Sequence, residues 1–182
     1  MKGDLFRGFY DFVIENYSEV ELDNLLDSCA LESGGAYTTI GYYPHEQMIT
    51  LVTQFSINQG IEVDDVLMAF GRHMFTILAK GSLAFIDQQK DCFEFLSKVE
   101  SEIHKGVKKI HSKANPPVLN PIEYRDGYLE LEYSSHRNMQ LLALGLIQGA
   151  ASYFNDEVEV NYFQSDESNG STVFYIKRLE NT

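Results

Sequence analysis

Apolar residues recur at helical spacing through the first two-thirds of the chain. Leu5, Phe9, Phe12 and Val13 predict an opening helix. Ser18 followed by Glu21 is a capping-box pattern, and Leu22, Leu25, Leu26 and Cys29 continue it as a second helix to Gly34-Gly35. Tyr42-Tyr43-Pro44 turns the chain into a third helix, with Met48, Leu51, Val52 and Phe55 inward and a stop at Asn58-Gln59-Gly60. The clearest stripe is Val63, Val66, Leu67, Phe70, Met74 and Ile77; its acidic first turn, Asp64-Asp65, suits the positive end of a helix dipole. Leu96, Val99, Ile103, Val107 and Ile110 mark a later helix, which Asn115-Pro116-Pro117 ends because proline cannot continue the hydrogen-bond ladder.

The period then changes to alternation. After the turn Asp126-Gly127, the positions Leu129, Leu131, Tyr133, Ser135 and Arg137 alternate with Tyr128, Glu130, Glu132 and Ser134, which predicts a strand. A long helix follows, with Met139, Leu142, Ala143, Leu146, Ile147, Ala150 and Phe154 inward; Gly145 and Gly149 on it would allow close backbone approach. Val158, Val160 and Tyr162, then Val173 and Tyr175, form two more strands about a turn at Ser168-Asn169-Gly170-Ser171. Helices first and short antiparallel strands last predict an α+β fold.

Composition narrows the function. A chain of 182 residues with 44% hydrophobic content fits one domain with a substantial core. The net charge of −13 argues against nucleic acid, whose binding needs basic surface, and against anionic membranes. No apolar run is long enough to span a bilayer, and Asp4 and Arg7 interrupt the first apolar stretch, so no signal peptide is expected. A cytoplasmic protein is the expectation. The two cysteines, Cys29 and Cys92, have no metal-site or haem-attachment spacing. No GxSxG, HExxH or phosphate-binding glycine loop occurs, so no enzyme is indicated.

Candidate chemistry lies in two places. Period 2 places Tyr133, Ser135 and Arg137 on one strand face, where a phenol, a hydroxyl and a guanidinium suit an anion with two carboxylates. A structural network pairing Arg137 with a nearby acid fits the same spacing. His104 stands at the border of an apolar stripe, able to send one ring nitrogen inward to a metal and the other outward, or to lie on the surface. His111 competes with it from two turns on, and His73 borders the fourth helix's stripe.

Taken together, these residues resemble the haem-nitric oxide/oxygen binding (H-NOX) domain family in its stand-alone bacterial form. The resemblance rests on Tyr133-x-Ser135-x-Arg137, on Ile103-His104 in the helix before Pro116-Pro117, and on flanking segments along the whole chain. These are Met1-Lys2-Gly3, Tyr43-Pro44, Phe70-Gly71 and Gly145-Leu146-Ile147-x-Gly149-Ala150-Ala151. It implies a helical N-terminal part (1–60) and a haem-ligating lobe (61–182), with a four-stranded antiparallel sheet and haem b buried between the lobes. It implies His104 on the iron, Tyr133, Ser135 and Arg137 on the propionates, and Pro117 pressing on the porphyrin. Leu5, Phe9, Met74, Leu78, Leu142 and Leu146 would line the pocket.

Family members that hold O2 carry a tyrosine five residues after the motif arginine; here that residue is Leu142. Bound O2 needs a hydrogen bond and NO does not, so the expected ligands are NO and CO. The resemblance further implies that NO weakens or breaks the iron–His104 bond. The resulting movement would pass to a histidine kinase or cyclic-di-nucleotide enzyme acting in trans. The zinc-binding cysteines of some relatives are missing, so no zinc is expected. An O2 sensor or carrier, and a haem-free interaction module, are the alternatives.

Overall fold

The structure, a computed structural model, describes residues 1–164 and 171–179. The chain opens with α1 (Gly3–Asn16), α2 (Glu19–Ser28), α3 (Glu46–Gln59) and α4 (Val63–Lys80). Phe6, Phe9, Tyr10, Phe12 and Val13 form the buried face of α1. Ser18 Oγ accepts the Glu21 N–H at 3.1 Å, so the capping pattern read in the sequence starts α2. That helix stops at Ser28, earlier than the glycine pair suggested, and Cys29 is already extended. Gly34 and Gly35 instead form a left-handed turn, with the Gly35 carbonyl accepting from the Tyr10 hydroxyl at 2.8 Å.

The later helix is not uniform. It comprises α6 (Cys92–Lys98), a π-helical segment (Val99–His104) and α7 (Lys105–Ile110), preceded by a short α5 (Leu83–Ile86). Asp91 caps α6 by accepting from the Glu94 N–H at 2.8 Å. A π-helical insertion shifts the phase of a helix and often marks a functional position. Here it ends at His104, a residue the sequence placed only on the border of an apolar stripe.

Strands β1 (Val118–Arg125), β2 (Tyr128–Ser134), β3 (Val158–Gln164) and β4 (Thr172–Arg178) form an antiparallel sheet in the order β1-β2-β4-β3. Helix α8 (Gln140–Phe154) lies between β2 and β3 in the chain. The fold is therefore α+β with a four-stranded antiparallel sheet. β1 was not visible as a strand by alternation: it is exposed at nearly every position, carries Pro121, and shifts register between Pro121 and Glu123. The turn expected at 168–171 lies mostly outside the described residues.

Two apolar clusters make the interior. One joins Phe6, Phe9, Phe12, Phe55, Phe70 and Met74 to Met139 and Leu142; the other joins Phe75, Phe93, Phe95, Leu129, Leu131 and Phe174 to Ala143, Leu144 and Ile147. Each large side chain buried this way contributes about 1.5–3 kcal/mol. The two clusters take different faces of α4 and α8: Phe70, Met74 and Leu142 go to the first, and Phe75, Ala79, Leu141, Ala143 and Leu144 to the second. Leu67 and Leu146 pack against both clusters.

α4 and α8 approach very closely. A Cβ on Gly145 would stand 2.8 Å from the Gly71 Cα and 3.0 Å from the Met68 carbonyl carbon, with the Met68 oxygen nearer still. Gly149 meets the Phe75 Cβ in the same way at 2.6 Å. The close approach expected from the two glycines is present.

Among the described residues no helix is long and apolar enough to cross a membrane.

Candidate functional site

His104 ends the π-helical segment with a side chain that is only 14% exposed. Its Nδ1 lies 2.8 Å from Glu100 Oε2, one turn back. Burial pulls the imidazole below its ordinary pKa, opposed by Glu100 and by the Pro117 main-chain carbonyl beside the ring. Burial pushes the Glu100 carboxyl upward, but hydrogen bonds from His104, Lys108 and the Leu119 N–H outweigh it and hold the carboxyl below its usual range. His111, the competing histidine, caps the end of α7 in a non-helical conformation, half-buried.

The motif converges by a route that alternation did not anticipate. β2 ends at Ser134, so Ser135 and Arg137 do not continue the inward row of Leu129, Leu131 and Tyr133. The chain turns instead: the Arg137 N–H donates to Ser135 Oγ at 3.2 Å, and Asn138 takes a left-handed conformation with φ 50°. This brings the three side chains together. Tyr133 is buried, and its phenol is pushed up by that burial, while Ser135, the Met139 backbone and Arg137 pull the other way.

Arg137 is held but not neutralised. Its Nη1 donates to the Asn115 carbonyl at 2.8 Å, and its Nε is buried without a hydrogen-bond partner. Burial pulls its pKa down, and among the described residues only the Tyr133 hydroxyl pulls it back. Among the described residues, the local acid that a structural network requires is not beside Arg137. Arg137 also lines a cavity of about 350 Å³ with Val52, Leu67, His136 and Met139.

The two halves of the site are tied by the segment after α7. Arg137 reaches Asn115; Pro117 lies against His104; Leu119 donates to Glu100 and pairs with Tyr133 in the sheet. The double-proline loop thus joins the histidine helix to the motif.

Of the expected pocket residues, Phe9 and Met74 are fully buried, Leu142 is 7% exposed, and Leu5 and Leu146 are partly buried against the N-terminal cluster. Leu78 departs from expectation. It is 44% exposed and belongs to neither cluster, because the helical stripe through Met74 runs on beyond the residues that cover it. His73 packs edge-on against Phe12 at 5.7 Å, its Nδ1 lies 3.9 Å from a Glu15 oxygen, and its buried Nε2 has no partner. The site residue that sequence reasoning missed is Glu100, four before His104, whose carboxylate meets the imidazole. Its helical spacing to His104 was a legible signal.

These features define a class. The Haem-NO-binding family matches residues 2–162, and the chain belongs to that family of haem-binding gas-sensor domains. Solved relatives agree. The Fe(II) unliganded H-NOX protein of K. algicida is 30% identical, with a TM-score of 0.91 over 100% of this chain and 98% of that one. The S. oneidensis H-NOX protein in its Fe(II)NO state superposes with a TM-score of 0.87 at 23% identity, over 99% of this chain and 100% of the other. A mutant H-NOX of T. Tengcongensis gives 0.86 at 22% identity, over 99% and 98%. Comparison with curated proteins found no match.

The residues fit the group that the family implies. A half-buried guanidinium with an orphaned nitrogen, grouped with a phenol and a hydroxyl, suits haem propionates. A shielded imidazole whose Nδ1 faces a carboxylate suits an iron ligand, since a second hydrogen-bonded nitrogen is what orients such a ring.

Proposed function

We propose that this chain is a haem-based nitric oxide sensor that holds haem b through His104, with Tyr133, Ser135 and Arg137 on the propionates. The observation that carries this reading is Arg137, a half-buried cation without an anion, tied through Asn115 to the loop that also touches His104. When bound, the haem supplies a ferrous iron that takes diatomic gases.

The chain's own residues select among those gases. Phe9, Met74 and Leu142 offer no hydrogen-bond donor, so NO and CO are favoured over O2, whose bound form needs one. His73 works against this selection: its ring packs on Phe12 with Nδ1 toward Glu15, but its buried Nε2 has no partner among the described residues. Pro117, whose main-chain carbonyl lies beside the His104 ring, would press on the porphyrin. His104 would hold the iron from its helix and would be the ligand that NO weakens or displaces, with Pro117 beside the ring sharing in the change. The segment Val99–His104 is then free to shift against the helical N-terminal part.

A ligand moves such an equilibrium only by its differential affinity for the two states. The histidine bond and the contact at Pro117 supply that difference. The change passes in trans to a histidine kinase or cyclic-di-nucleotide enzyme in the cytoplasm.

The test is optical. The reduced protein should take up NO and lose the spectral signature of histidine ligation, and should show no oxygenated spectrum in air. Retention of that signature at every NO concentration would exclude release by His104.

A further inference from the structure

Glu100 is the point where three parts of the protein meet. Its Oε2 lies 2.8 Å from His104 Nδ1 and accepts the Leu119 main-chain N–H at 3.3 Å. Its Oε1 accepts from Lys108 Nζ at 3.0 Å. The carboxylate therefore links the π-helical segment, the next turn of helix and the start of β1, the strand paired with the motif tyrosine. It is 29% exposed and His104 14%, so solvent screens the pair only in part.

The chemistry follows from what each atom can do. An ionised carboxylate offers only lone pairs, so the imidazole nitrogen facing it must carry the proton. A neutral ring with its proton on Nδ1 keeps a lone pair on Nε2. Glu100 therefore selects the tautomer that can bind a metal through Nε2, and two further hydrogen bonds fix the carboxylate that does so. Its negative charge also raises the electron-donating power of the ring. Lys108 works against this by drawing part of that charge toward itself, weakly, since it is 41% exposed.

We propose that Glu100 is a positioning residue for iron ligation: it sets the His104 tautomer and strengthens the imidazole as a donor, with Lys108 tempering the effect. This rests on the haem-binding reading above. A stronger donor favours ferric over ferrous iron and makes the histidine bond harder for NO to break. The carboxylate–lysine balance beside His104 thus sets how readily this sensor fires.

The test uses the full haem-loaded chain, with E100Q and K108M compared to wild type. The readouts are the ferric/ferrous midpoint potential and the iron–histidine stretching frequency of the reduced protein. E100Q keeps size and hydrogen-bonding capacity and loses the charge. It should weaken ferric relative to ferrous binding about tenfold, a rise of about 59 mV for one electron, and lower the stretching frequency. K108M should shift both readouts the opposite way by a smaller amount. E100D, which keeps the charge, should recover part of the wild-type potential.

A merely structural role for Glu100 would not give opposite shifts on removing the two opposite charges. Equal potentials and frequencies in wild type and E100Q, or shifts of the same sign in E100Q and K108M, would overturn the proposal while the haem reading stands. A wild-type chain with no haem spectrum would overturn both.

Discussion

Gly145→Ala should destabilise the protein although alanine is the better helix former. The added Cβ would stand 2.8 Å from the Gly71 Cα and 3.0 Å from the Met68 carbonyl carbon. Carbon atoms rest at about 3.5–4.0 Å, so α4 and α8 must separate by roughly 1 Å. Overpacking of this kind costs about 1–3 kcal/mol, against a gain of about 1 kcal/mol from helix propensity. The expected net loss is about 0–2 kcal/mol, toward the upper end because the Met68 oxygen is closer still, read as a lower urea midpoint by circular dichroism.

Gly106→Ala is the matched control. It lies in α7 with nothing within 4 Å of its added Cβ, so the same substitution there should stabilise by about 0.5–1 kcal/mol. Separation of α4 from α8 would also shift Leu142 and Leu146, so Gly145→Ala should alter gas binding where Gly106→Ala does not. Equal shifts in the two variants, or a Gly145→Ala protein as stable as wild type, would refute the close-packing account.

Other outcomes follow from the site. Arg137→Met removes a cation that burial penalises, so the haem-free chain should be no less stable, while haem retention against a scavenging apoprotein should fall about 10–100-fold. Haem affinity that survives this change would remove Arg137 from the propionate site. Leu142→Tyr places a hydroxyl at a buried position of α8, and the reduced variant should form an oxygenated spectrum in air that wild type lacks. Because burial holds His104 below the usual imidazole value of about 6.5, the unfolded chain binds that proton more tightly. Stability of the haem-free protein is thus fullest above this value and should decline as pH falls through it. Urea melts at a series of pH values should show a smaller decline in His104→Gln; an equal decline would assign the effect to another group.

The elements legible in the sequence were those whose one buried face repeats at a fixed period. The stripes of α1, α4 and α8 and the alternation of β2 met that condition, and Ser18 marked a helix start by its own chemistry. β1 did not, because an edge strand exposed on both faces writes no alternation. The π-helical turn before His104 was also hidden. A phase shift is visible only once the ring is seen buried against Pro117 and Glu100.

At the motif, the residue types were legible and the geometry was not. Ser135 and Arg137 reach Tyr133 through a turn at Asn138, whose left-handed backbone replaces the strand continuation that spacing suggested. Leu78 shows the opposite error: correct phase on α4 does not ensure that anything covers the side chain.

The most direct measurement is the absorption spectrum of the purified chain and of His104→Gly, both produced in cells supplied with iron and porphyrin precursor. Wild type should show a Soret band that shifts with NO in the reduced state, and the variant should be haem-free until imidazole is added. A colourless wild type, or a variant that retains haem as well as wild type without imidazole, would contradict the account.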